Sequence, residues 1–302
     1  MKVNCPEAVA RIMNARIVPI TALSVVLCLT GCISRTKRLT PDQVLLPAES
    51  LSKPALLEKI KAESVMVKTL KITNSTLKLT QQVAADRLKE FGKGILGNIG
   101  GVIFVERPDK LRLRVDLSGA IVGADLVSDD RQFRISVPHL NEFGISSITA
   151  PVGDVSFPCN LRPSHILDAL FVDGEKYINV PGIRSILTEQ TEGIRSYYLI
   201  DFVMDDIKIQ QLWYDRTDKQ VVRKIQYKED GRKEAEVRYS DYTTVNSITF
   251  PKLIQINRPI EHYSLEMKIS EMVFNEPIPP DKFQLDRPPS ANDLDMKTCK
   301  KR

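Results

Sequence analysis

The sequence predicts a mainly β fold with helices (α+β), built as a single curved antiparallel sheet with two helices against it. Apolar and polar residues alternate over several short segments, which are separated by turn sequences. Such alternation is typical of antiparallel strands that have one buried face and one wet face. Only two segments show helical spacing, and strands do not alternate with helices as parallel α/β folds require.

Five segments carry the alternation most clearly, and each is expected to form a strand. Sequences rich in Asp, Ser, Lys and Gly follow them as turn signals, at residues 128–130, 215–218 and 228–231. The residues that share the more apolar face of each segment are Leu111, Leu113, Val115 and Leu117; Phe133, Ile135 and Val137; Val221, Arg223, Ile225 and Tyr227; Ala235, Val237 and Tyr239; and Leu265, Met267 and Ile269.

Two helices are predicted from capping and spacing. Ser52 can cap a helix that runs to about residue 64, with Pro54 in the first turn, where proline is tolerated. The second helix is expected from Arg162 to Phe171, with Pro163 at its start. The apolar face of the first helix consists of Leu56, Leu57 and Ile60, and that of the second of Ile166, Leu167, Leu170 and Phe171.

The N-terminal segment indicates export. Residues 17–29 are apolar, follow the basic residues Lys2, Arg11 and Arg16, and are too few for a permanent membrane span, which needs roughly 20 residues. The next residues, 29–32, read Leu-Thr-Gly-Cys and resemble a bacterial lipobox. We therefore expect a signal peptide over 1–31 and lipidation at Cys32, with translation starting at Met1 or Met13. The alternative is a short buried helix with an incidental cysteine.

The rest of the chain divides by composition. Residues 32–51 are polar, contain two prolines and are expected to form a flexible tether; residues 52–288 form the folded domain and 289–302 a polar tail. After cleavage Cys32 is acylated, and two further cysteines, Cys159 and Cys299, remain. The export route permits a disulfide between them, and two free thiols are the alternative.

Chemistry-bearing motifs are sparse, which predicts a protein that is not an enzyme and needs no cofactor or metal. Each of the three histidines lacks partners at metal-ligand spacing, and no Gly-x-Ser-x-Gly motif is present. Residue His165, in the second predicted helix, is expected to be only partly buried. The formal net charge of +5 is mild for 302 residues, so nucleic acid is not an expected partner.

A glycine-rich segment at residues 92–97 matches Gly-x-Gly-x-x-Gly, but a strand and not a helix is expected after it. A dinucleotide site requires that helix, so a flexible hairpin loop is the simpler interpretation. The apolar residues Ile95, Leu96 and Ile99 suggest a second interpretation, in which the loop contacts a membrane or an acyl chain.

Several short motifs resemble the outer-membrane lipoprotein carrier and receptor family, of the LolA and LolB type. A strand ends in Arg107-Pro108, and residues 126–130, Leu-Val-Ser-Asp-Asp, lead to a strand that ends at Pro138. The family usually has glycine where Asp130 stands. The C-terminal half is similar in pattern, from residue 212 through Asn275 to 285, so that the resemblance covers roughly residues 56–288.

The resemblance implies a half-open antiparallel barrel around two or more helices, with a hydrophobic cavity for acyl chains of lipoproteins or lipids. It also implies that Arg107 hydrogen-bonds to a helix and latches a lid. Soluble carriers of the family lack an anchor, so the lipobox favours the membrane-anchored receptor. We therefore expect a location at the periplasmic face of the outer membrane, which Ile33 after Cys32 also suggests, and a soluble periplasmic carrier as partner.

The apolar face of the sheet is the predicted lipid-binding surface. Alternation cannot distinguish an open cavity from a filled core, because both present one apolar face. On the second alternative the chain is a tethered, non-enzymatic adaptor or a structural envelope protein. The candidate cavity residues are Leu111, Leu113, Val115, Phe133, Ile135, Trp213, Ile225, Val237, Leu265 and Met267.

Overall fold

The computed structural model describes residues 50–81, 98–117, 121–150, 158–174 and 176–301, and one sheet dominates it. The helices are α1 (Lys53–Met66) and α2 (Pro163–Leu170), with 3-10 turns at Pro138–Leu140 and Pro280–Phe283. The strands are β1 (Thr69–Gln81), β2 (Ile99–Glu106), β3 (Lys110–Asp116), β4 (Val122–Ser128), β5 (Gln132–Val137), β6 (Glu142–Ser147), β7 (Ile183–Glu192), β8 (Arg195–Met204), β9 (Ile207–Asp215), β10 (Val221–Tyr227), β11 (Lys233–Val245), β12 (Ile248–Arg258), β13 (Tyr263–Phe274), β14 (Asn292–Asp295) and β15 (Lys300–Lys301).

The sheet has fifteen strands in the order β15-β14-β6-β5-β4-β3-β2-β1-β13-β12-β11-β10-β9-β8-β7. Two antiparallel meanders, β1 to β6 and β7 to β13, are joined where β1 pairs with β13. Strand β14 joins β6 in parallel. The two ends of the described sheet, β15 and β7, do not pair with each other, so the barrel is not closed. The predicted fold class, one curved antiparallel sheet with helices, is confirmed.

Two groups of buried apolar side chains form the core. The larger joins β1 to β5, β11 to β13 and α2, whose Ile166 and Leu170 are buried. The smaller lies under α1, where Leu56 and Ile60 pack against Ile200 and other residues of β8 and β9. Both predicted helices thus bury the faces that their spacing indicates. Residues 45–302 form one compact unit, so a chain that starts at residue 33 contains all of it.

The start of α1 follows directly from its sequence. The Ser52 hydroxyl accepts a hydrogen bond from the backbone N–H of Ala55 at 3.4 Å, and proline stands in the first turn. These two features satisfy a free helical N–H and preset the backbone angle. The predicted cap is confirmed.

The C-terminal segment is folded, in contrast with the polar tail expected at 289–302. Its strand β14 pairs with β6, and Leu294 and Met296, two residues apart, are buried against the core. A disulfide joins Cys299 to Cys159, just before α2, with the two Cα atoms 5.7 Å apart. The burial of alternate residues and this covalent bond hold the segment in place. The two cysteines, which the sequence left either bonded or free, are bonded to each other.

Candidate functional site: a cavity at the mouth of the half-barrel

Eight of the ten predicted cavity residues lie together on the inner face of the sheet. They are packed as core and no more than 8% exposed, and none of them lines the mouth cavity described below. In this structure the inner face behind the mouth is therefore filled with side chains. The eight residues are Leu111, Leu113, Val115, Phe133, Ile135, Val237, Leu265 and Met267.

The other two, Trp213 and Ile225, lie on the outer face, and the prediction was wrong for them. Trp213 alternates with Leu212 and Tyr214, which are both in the inner core, so it points the opposite way. Its ring is covered by the guanidinium of Arg223, 5.0 Å from the ring centre, and its Nε1 donates to Gln211 at 2.7 Å. Ile225 pairs with Gln211 on the same outer face.

A buried lysine explains why alternate residues of β10 face the opposite way from the prediction. Lys224 pairs with Leu212 on one side and Val237 on the other, both inner residues. Its Nζ donates to the backbone carbonyls of Asp168 and, at 2.9 Å, of Phe171. The last carbonyls of a helix have no partner within the helix, so the ammonium caps α2 from inside the barrel.

This lysine predicts a dependence of stability on pH. Burial lowers the pKa of Lys224 from 10.5 to about 8. Between pH 8 and 10 the unfolded chain keeps a proton that the folded chain has released, so the free energy of unfolding should rise with pH, by about 2 kcal/mol. Lys224→Met should remove that rise in denaturant unfolding at several pH values. An unchanged rise in the variant would contradict the assignment.

The predicted membrane-contact loop is only partly described. Ile95 and Leu96, like the lipidation residue Cys32, lie outside the described residues. Ile99 opens β2 and is 8% exposed, in the same core as Ile103 and Val105. Because alternate residues of β2 face inward, Ile99 belongs to the core, and its assignment to an exposed loop was wrong.

A cavity of about 210 Å³ opens at one end of the half-barrel, beside the C-terminal half of α1. Its walls also come from the segment after α2 and from the β11–β12 hairpin. We call it the mouth cavity. It is lined by Lys59, Glu63, Ser64, Met66, Val67, Leu170, Phe171, Val172, Gln220, Val221, Tyr239, Tyr242, Ser247, Ile248, Thr249, Phe250 and Pro251.

The walls of the mouth cavity combine apolar side chains with polar groups, and the apolar surface is only slightly the larger. Lys59 and Glu63 form an ion pair along α1. The Tyr242 hydroxyl donates to the Val221 carbonyl. The Tyr239 hydroxyl is buried and has no hydrogen-bond partner among the described residues. The sequence pattern marked Tyr239 only as a residue of a buried face and did not single out Tyr242.

Arg107 connects two walls of this cavity. Its guanidinium donates to the Ser64 carbonyl near the end of α1 and lies 5.1 Å from the centre of the Phe171 ring, after α2. The Asp173 carboxylate lies 3.7 Å from the Nη2 atom of Arg107. A planar guanidinium carries five donors in a fixed fork, which suits such a bridge. The structure therefore places Arg107 against a helix, where the sequence resemblance puts it; its role as a latch stays a prediction.

Helix α2 is held at both ends. At the N-terminal end are the disulfide at Cys159 and a 2.8 Å hydrogen bond between His165 Nδ1 and the Tyr263 hydroxyl; at the C-terminal end is Lys224. His165, expected to be partly exposed, is buried, and burial holds its pKa well below the ordinary value. Helix α1 is also tied to the sheet, by Lys53 to the Ser185 carbonyl at its start and by the Asn275 amide to the Met66 carbonyl at its end.

The described residues contain neither a candidate metal site nor a candidate membrane-spanning helix. In that part of the chain, no three His, Cys, Asp or Glu side chains are grouped as a metal ion would need. None of its helices has the length and apolar content to cross a membrane.

Several solved structures are similar to this chain. A DUF1329 family protein from Desulfovibrio piger matches with a TM-score of 0.52 at 12% identity, over 76% of this chain and 94% of its own. A LolA superfamily protein from Nitrosomonas europaea has a TM-score of 0.47 at 12% identity, over 78% of this chain and 99% of its own. An outer membrane lipoprotein-sorting protein domain from Vibrio parahaemolyticus has a TM-score of 0.47 at 10% identity, over 76% and 94%.

Comparison by sequence finds less. No protein-family model matches the chain, and the curated proteins give no significant match. At identities of 10 to 12% the structural likeness concerns the fold and not the activity. Proteins of the LolA and lipoprotein-sorting type, which the sequence motifs resemble, are among the structures to which this chain is similar.

Proposed function

We propose that this protein is an exported, non-enzymatic lipoprotein that binds an acyl chain of a lipid or lipoprotein through the mouth cavity. The observation that carries the proposal is the cavity itself, a space of about 210 Å³ between α1, α2 and the β11–β12 hairpin, whose apolar wall is formed by residues such as Leu170, Phe171 and Phe250. Each methylene that enters such a space gains about 0.8 kcal/mol, and no charged group is needed to hold it.

The size of the cavity limits what the closed form accepts. An engineered apolar cavity of about 150 Å³ holds a benzene molecule, so 210 Å³ accommodates a short segment of one chain. A longer chain requires α1 to move away from the sheet. The Arg107 bridge between Ser64 and Phe171 is one of the contacts that would have to break, beside the bond from the Asn275 amide to the Met66 carbonyl, and it is the proposed latch.

The proposed latch makes a direct prediction. Arg107→Leu should increase the rate at which the neutral fluorophore N-phenyl-1-naphthylamine enters, because the tie from the sheet to α1 is lost. Stopped-flow fluorescence on the 33–302 chain measures that rate. Arg131→Leu removes the same charge from an exposed site and should leave the rate unchanged. Equal entry rates in both variants and the parent would leave the latch without support.

Membrane attachment is proposed at Cys32, where the lipobox stands. Two or more acyl chains make an anchor stable, whereas one chain binds only reversibly. Cys32→Ala should therefore abolish labelling by radioactive palmitate and release the protein from the membrane fraction. Persistent labelling would place the anchor elsewhere. We further propose the periplasmic face of the outer membrane as its location and a soluble periplasmic carrier as the partner that delivers the acyl chains.

A tethered adaptor or structural envelope protein without cargo is the second candidate. The filled inner face favours it, since eight predicted cavity residues are packed as core. The two candidates differ in ligand binding: an adaptor should not bind the fluorophore at all.

A further inference from the structure

The Tyr239 side chain contributes a buried polar atom, its hydroxyl oxygen, to the wall of the mouth cavity. The side chain is 4% exposed and lines the cavity, while the oxygen itself is fully buried and has no hydrogen-bond partner among the described residues, so a ligand reaches it only when a wall of the cavity moves. Tyr242 lies three residues further along β11. Its hydroxyl donates to the Val221 carbonyl and therefore has a partner. A buried hydroxyl without a partner is costly, and an acceptor on a ligand would remove that cost. The Tyr214 hydroxyl is also buried without a partner among the described residues, but Tyr214 does not line the cavity.

The surroundings of this hydroxyl select a neutral partner. Burial raises the pKa of Tyr239, and likewise that of Tyr242, because both hydroxyls are removed from solvent. Among the described residues, two cations stand at the cavity, and both have acidic partners: Lys59 pairs with Glu63, and Arg107 lies 3.7 Å from Asp173. A ligand carboxylate would therefore meet little compensation, whereas an uncharged acceptor oxygen would satisfy the hydroxyl.

We propose, on the basis of the acyl-binding function above, that the Tyr239 hydroxyl donates a hydrogen bond to the carbonyl oxygen of an acyl ester whose chain occupies the mouth cavity. The ester carbonyl is the first polar atom at the head of an esterified acyl chain, and it can only accept. The apolar walls hold the methylenes beside it. The cavity thus distinguishes ester-linked acyl chains from ether-linked alkyl chains of the same length.

The test uses two ligands that differ in that carbonyl alone. N-phenyl-1-naphthylamine bound to the 33–302 chain is displaced by 1-monolauroylglycerol, an ester, or by 1-O-dodecylglycerol, an ether, each below its micelle concentration. We expect the ester to bind roughly 3- to 10-fold more tightly, the range of one net hydrogen bond. Tyr239→Phe should abolish the preference by weakening ester binding alone. Tyr227→Phe, a control that removes a tyrosine hydroxyl outside the mouth cavity, should keep it.

The outcomes separate this inference from the function on which it rests. If neither ligand displaces the fluorophore and the fluorophore itself does not bind, the acyl-binding function fails. If both ligands bind the parent equally, or Tyr239→Phe weakens both alike, acyl binding stands and ester recognition by Tyr239 is overturned. Laurate is a carboxylate at pH 8. If it binds more tightly than the uncharged ester, ester recognition by Tyr239 is also overturned, because the acceptor would then be a charged group.

Two sources can supply an acyl ester at a membrane. Displacement by a dipalmitoylglyceryl-cysteine peptide, with none by dioleoyl phosphatidylglycerol, would support the inference with a lipoprotein as the source. The reverse would support it with a phospholipid. Displacement by neither would overturn the inference for both sources.

Discussion

Replacing both Cys159 and Cys299 with alanine is expected to lower the free energy of unfolding by about 4 kcal/mol. The disulfide closes a loop with a sequence separation of 140, and in the chain-entropy model long loops contribute the most. The bond also joins the start of α2 to the C-terminal segment that carries β14. We therefore expect β14 to detach from β6 first when the bond is lost, so that proteolysis begins in residues 289–302.

The reduced parent protein provides the control for this prediction. Dithiothreitol should destabilise the parent by the same amount and leave the double variant unchanged, as measured by urea unfolding. A loss below about 1 kcal/mol in the double variant would contradict the expected role of the disulfide.

The Leu113→Asn variant is expected to lose about 4 kcal/mol. Leu113 is 3% exposed in the larger core, between neighbours on β2 and β4. The substitution leaves a gap and an amide without a partner, and each contributes to the loss. In an open, hydrated cavity the same change would affect stability little. The size of the loss therefore reports whether the inner face behind the mouth is filled in solution.

The neighbouring residue on the same strand offers a matched control. Arg114 faces the other side of β3, with its side chain 42% exposed beside Asp116. Arg114→Asn should change the free energy of unfolding by less than about 1 kcal/mol. Similar losses in the two variants would mean that the faces of β3 are assigned wrongly.

Local chemistry made much of the fold predictable. Period-two alternation located β3, β5, β11 and β13 with their inner faces correctly oriented, because nothing polar competes for those positions. The Ser52 cap and the proline after it marked the start of α1. Such signals depend on residues close in sequence, and that is why they can be recognised before the tertiary structure is known.

Strand β10 shows where local reasoning fails. The sequence favours Ile225 as the inner residue over Lys224, since isoleucine is the more apolar. The structure chooses Lys224 because the C-terminus of α2, more than fifty residues earlier, needs a donor for its carbonyls. Trp213 was misassigned for a related reason: Arg223 and Tyr197 cover its ring, so that this large aromatic side chain is buried on the outer face.

The candidate site was less predictable than the fold. Arg107 was found through a motif resemblance, and the Ser64 carbonyl that it contacts carries no signal in the sequence. The mouth cavity arises where α1, α2 and the β11–β12 hairpin come together, so no local pattern could indicate it. Tyr239 stands out only when its hydroxyl is seen to lack a partner.

Native mass spectrometry tests the central claim, acyl-chain binding, most directly. The 33–302 chain would be exported behind a cleavable leader and purified without detergent. We expect the mass of the 33–302 chain plus the mass of one acylated lipid. Organic extraction should remove that lipid, and lipid analysis should identify it. A spectrum with the mass of the bare polypeptide alone, from protein that also fails to bind N-phenyl-1-naphthylamine, would contradict the claim.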